Sequence, residues 1–291
     1  MQSTFFIYAK ALSSEQIAQF QQQSQAELLG QAVSFGYQIA FFRSNPTACW
    51  RELAHSLQCD IANLTDLNPT LAEQGLLLMD MDSTAIKTEC IDEIAKLAGT
   101  GEKVSEITAR AMRGELDFEQ SLRERVGTLA NAPESILQKV REKLPLMDGF
   151  ETMVQTLQQH GWKLAIASGG FTYFADYLKQ QYGLDEAVSN QLEIMDGKLT
   201  GKVLGKVVDA QHKADTLKAL AERFSIPPSQ WVAVGDGAND LPMLHTAQLG
   251  VALHAKPKVQ AQAKIVVNFA DLTAILLLLN AHSIFNSLRG K

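Results

Sequence analysis

The sequence predicts an α/β protein: a doubly wound parallel-sheet core, interrupted by an inserted helical cap and preceded by a small α+β domain. Three observations predict it. Five short apolar runs, at 76–79, 164–167, 231–234, 251–253 and 265–267, carry no polar interruption, as strands buried on both faces do. Helical segments separate them: Phe150, Met153, Val154 and Leu157 share one face, as do Leu217, Leu220, Ala221 and Phe224, at the 3.6-residue period. Residues 88–147 read as consecutive helices, too long for a single crossover, and so as an insertion.

Along the chain, 3–9 reads as a strand, and Ser13-Ser14-Glu15-Gln16 opens a Gln-rich helical stretch running toward Gly30. Residues 37–42, aromatic and aliphatic, read as a strand, 46–57 as a second helix and 61–64 as a short last strand. These elements make residues 1–72 a separate module of three strands and two helices. The core is then 73–87 with 148–291, and the cap 88–147. In the cap, Ile91, Ile94, Ala95 and Ala98 give an apolar face ended by Gly99, and Pro133 marks a later helix start. Asp196-Gly197, between 192–194 and 198–200, is a hairpin signal. Beyond the Gln cluster at 21–23 there is no low-complexity tract, and no internal repeat.

Composition excludes several classes. Lys plus Arg number 26 against 32 Asp plus Glu, a net charge of −6, whereas a nucleic-acid binder carries a basic excess. The apolar stretch around 275–279 is far short of the roughly 20 residues that span a bilayer. No basic leader or cleavage site is visible, and the three cysteines, Cys49, Cys59 and Cys90, lack disulfide-framework or zinc spacing. The expectation is a cytoplasmic enzyme of small molecules.

The chemistry gathers where the first three runs end: Asp80-Met81-Asp82-Ser83-Thr84, Ser168-Gly169-Gly170 and Gly235-Asp236-Gly237-Ala238-Asn239-Asp240. In open parallel sheets, ligands bind beyond the carboxyl ends of the strands, so all three should face one crevice. Asp80 and Asp236 would repel unless a cation lies between them. Oxygen ligands without His or Cys suit Mg²⁺, which keeps waters and pairs with phosphate. Glycines 169, 170, 235 and 237 let backbone amides approach an anion, and Ser168 adds a hydroxyl. A nucleophilic carboxylate, a cation and phosphate donors together suggest phosphoryl transfer through an aspartyl phosphate.

These motifs, with a lysine between the last two, resemble the haloacid dehalogenase superfamily of phosphotransferases. Thr88-Glu89-Cys90-Ile91-Asp92-Glu93, Ala111-Met112-Arg113-Gly114 and the segment from Phe118 to Val126 are similar to its phosphoserine phosphatase branch. The resemblance covers about 72–291 and implies the following roles. Asp80 is the nucleophile and a Mg²⁺ ligand. Asp82 is the general acid, then the base for water, and its carbonyl is a second ligand; Asp236 is the third. Ser168 and the Gly169 amide hold phosphate, Lys213 neutralises its charge, and Asn239 contacts it. Glu89 takes the substrate ammonium and Arg125 its carboxylate, while Met112 and Phe118 shield the pocket. An acid two residues after the nucleophile favours turnover, where ion-pump relatives carry Thr.

Read without the resemblance, several of these residues have rivals. Lys213 competes with Lys206 and Lys218, and Arg125 with Arg110 and Arg123. Glu89 fits the acidic first turn of a helix, Met112 and Phe118 fit a core, and Asp240 fits loop support. The six His share no ligand spacing. The implied activity is hydrolysis of O-phosphoserine to serine and phosphate, the final step of L-serine biosynthesis. Transfer to another small alcohol, a different phosphomonoester, or a signalling protein phosphorylated on Asp80 are the alternatives. Residues 1–72 read as an ACT-like ligand sensor, a homodimerisation module or a purely structural one.

Overall fold

The structure is a computed structural model and describes residues 3–44 and 49–290. It begins with a β-α-β-β-α-β module: β1 (Ser3–Ala9), α1 (Ser14–Ser24), β2 (Glu27–Ser34), β3 (Tyr37–Ser44), α2 (Trp50–Ser56) and β4 (Asp60–Asn63). All neighbours in its sheet, ordered β2-β3-β1-β4, are antiparallel, the split-βαβ arrangement. A capping box between Ser13 and Gln16 starts α1. The expected run of this helix toward Gly30 is corrected: it ends at Ser24, where Gln25 turns left-handed (φ 53°). Residues 27–34 instead form an edge strand of the sheet, a fourth strand where the sequence predicts three. Phe35 and Gly36, both at positive φ, turn β2 back onto β3. The start expected for α2 at Pro46 lies outside the described residues.

Both faces of this small sheet are covered, which is why β1 reads as an unbroken Phe-Phe-Ile-Tyr run. On one face Phe5 stacks on Trp50 at 4.1 Å and Phe20 meets Phe42 at 5.1 Å. On the other, Phe41 lies 5.2 Å from Phe285, and the Tyr37 hydroxyl donates to Asp271 at 2.9 Å.

After β5 (Leu76–Met79) the chain leaves the sheet for α3 (Cys90–Ala98), α4 (Gly101–Met112), α5 (Phe118–Gly127) and α6 (Ser135–Arg141). The two connections to this insertion run antiparallel: Ile86 bridges Leu146, the Lys87 amide donates to Pro145 and the Met147 amide to Ala85, both at 2.9 Å. Gly99 (φ 73°) ends α3, and an Asp117–Gln120 capping box starts α5. Then come α7 (Phe150–Gln159), β6 (Lys163–Phe171), α8 (Thr172–Tyr182), β7 (Glu186–Met195), β8 (Lys198–Leu204) and α9 (Ala210–Arg223). The predicted hairpin is the antiparallel β7–β8 pair, turning at Asp196 (φ 51°) and Gly197 (φ 71°). The chain closes with β9 (Trp231–Gly235), α10 (Leu241–Thr246), β10 (Leu249–Leu253), α11 (Pro257–Gln260), β11 (Ile265–Val267) and α12 (Ala274–Arg289).

The second sheet has the order β11-β10-β9-β5-β6-β7-β8. Its β9, β10 and β11 are parallel, as are β6 and β7, so the parallel α/β core is as predicted. Strand order reverses beside β5, the switch point at which such sheets bind ligands. One correction concerns β6: it continues past Ala167 through Ser168-Gly169-Gly170 to Phe171, with its register against β7 broken over those residues. The chain divides into two compact units, Met1–Leu77 with Asp148–Lys163 and Leu217–Lys291, and Leu78–Met147 with Leu164–Thr216. Among the described residues no helix is long and apolar enough to cross a membrane.

Candidate active site

Within the second unit, the chain turns immediately after β5. The amides of Thr84, Ala85 and Ile86 all donate to the Met81 carbonyl, at 3.2, 2.8 and 3.0 Å, and Ser83 is left-handed (φ 56°). This turn leaves Asp80 buried. Its Oδ1 accepts from the Met81 amide at 2.7 Å, and its Oδ2 pairs with Lys213 Nζ at 2.9 Å. Lys213 is 0% exposed in the first turn of α9, a turn capped by Asp209, whose Oδ1 accepts from the His212 amide at 2.8 Å. Lys206 and Lys218, its rivals in sequence, are exposed. A buried ammonium needs a carboxylate partner to remain charged, and Lys213 has one.

Asp82 is half-buried. Burial, then the charges of Glu89 and Asp80, push its pKa up to about 8, although the thiol and the amide (3.2 Å) of Cys90 donate to it. A carboxyl at that value is protonated at neutral pH, the state a general acid needs. Cys90 escapes sequence reasoning as a partner of Asp82, because only the turn between them brings it close.

Ser168, also buried, accepts from the Gly170 amide at 2.9 Å. Asn190 of β7 donates to the Gly169 carbonyl at 2.8 Å and accepts from the Val208 amide at 2.8 Å. It too is missed by sequence reasoning; a polar residue inside a strand carries no local sign that its side chain will be buried. A Cβ at residue 170 would lie 2.7 Å from Asp82 Oδ2, and one at residue 169 would lie 2.6 Å from the Phe118 ring. The immediate neighbours of these two glycines are thus side chains of the site itself.

In the inserted helices, Glu89 stands at the N-cap of α3 and accepts from the Ser83 hydroxyl at 2.8 Å. Although the residue is exposed overall, partial desolvation of its carboxyl raises its pKa, opposed by that hydrogen bond and by the charge of Arg125. Burial lowers the Arg125 pKa, opposed by Asp92, Glu89 and Asp82, so the guanidinium sits among these carboxylates. Its Nε donates to the Ser121 carbonyl at 3.3 Å, and among the described residues it makes no ion pair. Arg110 pairs with Glu124 at 2.8 Å and Arg123 with Glu119 at 2.7 Å. Among the described residues, Arg125 alone of the three has terminal nitrogens without an ion-paired carboxylate. Phe118, the first residue of α5, covers Gly169. Met112, at the end of α4, is 69% exposed and is not brought against these groups.

In the first unit, the Gly235–Asp240 segment folds on itself. The Gly237 amide donates to Asp240 Oδ2 at 2.9 Å, so the loop-support reading of buried Asp240 holds. An added Cβ at residue 235 would meet Cγ of buried Asp240 at 2.4 Å, which is what requires glycine there, and one at residue 237 would meet the end of the Asn239 side chain at 2.2 Å. Asp236 and Asp240 bring carboxylate oxygens within 4.8 Å of each other, an oxygen-only acidic pair consistent with a hard cation.

The haloacid dehalogenase-like hydrolase family matches residues 75–248. The chain belongs to this family. It is 67% identical over 231 residues to a phosphoserine phosphatase of Haemophilus influenzae, covering 79% of this chain and 73% of that one. To a phosphoserine phosphatase of Vibrio cholerae it is 57% identical over 245 residues, 84% of this chain and 74% of the relative. A solved structure of a probable phosphoserine phosphatase from Vibrio cholerae, unliganded, matches with TM-score 0.88 and 49% identity over 98% of this chain and 88% of that chain. This similarity extends over the N-terminal module, where the sequence motifs are silent. The haloacid dehalogenase-like hydrolase is therefore an enzyme with the α/β fold its sequence predicts.

Proposed function

We propose that this hydrolase cleaves O-phosphoserine to L-serine and phosphate through an aspartyl phosphate on Asp80, as the final step of serine biosynthesis. The observation that carries the reading is the buried Asp80–Lys213 pair at 2.9 Å beside an Asp82 whose pKa is pushed up to about 8. Asp80 attacks phosphorus, and the P–O bond to serine breaks as Asp82 gives its proton to the departing oxygen. Asp82, now a carboxylate, takes a proton from water as that water attacks the phosphorus of the acyl phosphate, freeing phosphate and regenerating Asp80. Lys213, the Ser168 hydroxyl and the Gly169 amide bind the phosphoryl oxygens, with Asn239 as a further contact. Glu89 receives the ammonium and Arg125 the carboxylate, with Phe118 excluding water.

Mg²⁺ would be held by Asp80, the Asp82 carbonyl and Asp236, and supplies charge neutralisation and orientation of the phosphate. The donor chemistry supports this choice, since carboxylate and carbonyl oxygens suit a hard cation. We assign residues 88–147 as the cap, 73–87 with 148–291 as the core, and 1–72 as an ACT-like or dimerising module acting in a cytoplasmic homodimer. Sedimentation of the chain with and without residues 1–72 tests the last point.

Phosphate release from a panel of small phosphomonoesters, with and without Mg²⁺, tests the activity. Phosphoserine should be preferred and Mg²⁺ required. Adding an alcohol acceptor such as homoserine should not divert the phosphoryl group; if it does, the enzyme is a phosphotransferase. Stoichiometric labelling without steady-state phosphate release would make Asp80 a signalling site instead.

A further inference from the structure

We infer that Asn190 is a positioning residue: its single side-chain amide locks the phosphate-binding segment to the entry of the helix that carries Lys213. The inference rests on the proposed roles of Ser168 and Lys213. Between paired positions, β6 advances from Ala167 to Phe171 while β7 advances only from Val188 to Asn190. The extra residues bulge out of the ladder, which is what frees Ser168-Gly169-Gly170 to face a ligand. A bulge also strips backbone groups of their strand partners. The Asn190 side chain, 1% exposed, repairs this by donating to the Gly169 carbonyl at 2.8 Å.

That bond orients one rigid peptide plane. The N–H of the same plane belongs to Gly170 and donates to Ser168 Oγ at 2.9 Å. With its oxygen already accepting, the Ser168 hydroxyl is set to give its own proton to a phosphate oxygen. The other end of the Asn190 amide accepts from the Val208 amide at 2.8 Å, just before Asp209 caps the turn containing Lys213. One buried amide therefore sets the distance between a neutral and a cationic phosphate donor. An aspartate here would keep the bond to Val208 but turn a carboxylate oxygen toward the Gly169 carbonyl.

The test measures inhibition by inorganic phosphate, together with kcat/KM for phosphoserine and for an aryl phosphate, in the Mg²⁺-loaded full-length enzyme. Asn190→Asp and Asn190→Ala should weaken phosphate inhibition on the order of tenfold, the effect of leaving one buried group unsatisfied. Both substrates should lose kcat/KM by one common factor, because the phosphate is common to both, and melting curves should stay cooperative. A folded variant with unchanged phosphate inhibition overturns the inference, as does failure of both variants to fold, which would make Asn190 a residue of the core alone. Ser168→Ala separates the two levels of argument. If it also leaves phosphate inhibition unchanged, the phosphate role of the segment fails; if it weakens inhibition while the Asn190 variants do not, only the positioning link fails.

Discussion

Replacing Arg125 with alanine should remove recognition of the substrate carboxylate and little else. The guanidinium is partly buried among Asp82, Glu89 and Asp92, its Nε is held by the Ser121 carbonyl, and its terminal nitrogens have no ion-pair partner among the described residues. Truncation therefore breaks no salt bridge, and it relieves a desolvated cation. What is lost is a charge-assisted hydrogen bond to a carboxylate, worth about 1.5–3 kcal/mol, or roughly 10- to 150-fold in kcat/KM. The assay is kcat/KM for phosphoserine divided by kcat/KM for an aryl phosphate lacking carboxylate and ammonium. The ratio should fall by that factor, because Asp80, Lys213 and Ser168 are untouched and partial misfolding would depress both terms together. Arg123→Ala is the control: that side chain pairs with Glu119 at 2.7 Å on the surface, and its loss should leave the ratio within about twofold. An equal loss of both activities in Arg125→Ala would refute the reasoning and make Arg125 a residue that only supports the packing of α5.

Asp80→Asn should abolish turnover and leave no protein-bound phosphate, by mass spectrometry after acid quench; near-normal rates would remove Asp80 as nucleophile. Asp82→Asn should let an aryl phosphate, whose leaving group needs no proton, load the enzyme, so that phosphoenzyme accumulates while steady-state release slows. Since Asp82 must be protonated to release serine and its pKa is pushed up to about 8, wild-type phosphoenzyme formation from phosphoserine should fall as pH rises through that value. In single-turnover rapid quench, the aryl phosphate should lack this limb. Asp271, beside Lys10, Tyr37 and Thr273, has its pKa lowered to about 2 despite burial. Its contribution to stability is present above the unfolded carboxyl value of about 3.9 and lost as pH falls through about 2. Asp271→Asn should flatten the loss of melting temperature over that window; an unchanged acid limb would exclude the linkage.

The core strands were readable in the chain itself because strands covered on both faces become short runs of apolar residues, and the β7–β8 turn because Asp196-Gly197 tolerates positive φ. The strand-end motifs likewise drew attention to Asp80, Asp82, Ser168 and Asp236, since open parallel sheets bind ligands beyond the carboxyl ends of their strands. Tertiary structure decided the rest. Residues 27–34 form a strand only because β3 supplies hydrogen-bond partners along an edge; locally they continue a helical, Gln-rich stretch. Lys213 differs from Lys206 and Lys218 by burial beside Asp80, and Arg125 from Arg110 and Arg123 by the absence of a surface carboxylate, neither of which is a property of local sequence. Asn190 and Cys90 acquire their roles from residues at least eight positions away that the fold brings within hydrogen-bond reach. Local sequence determines which chemical groups stand at strand ends; burial and partner choice, which set their charge and direction, exist only once the chain has packed.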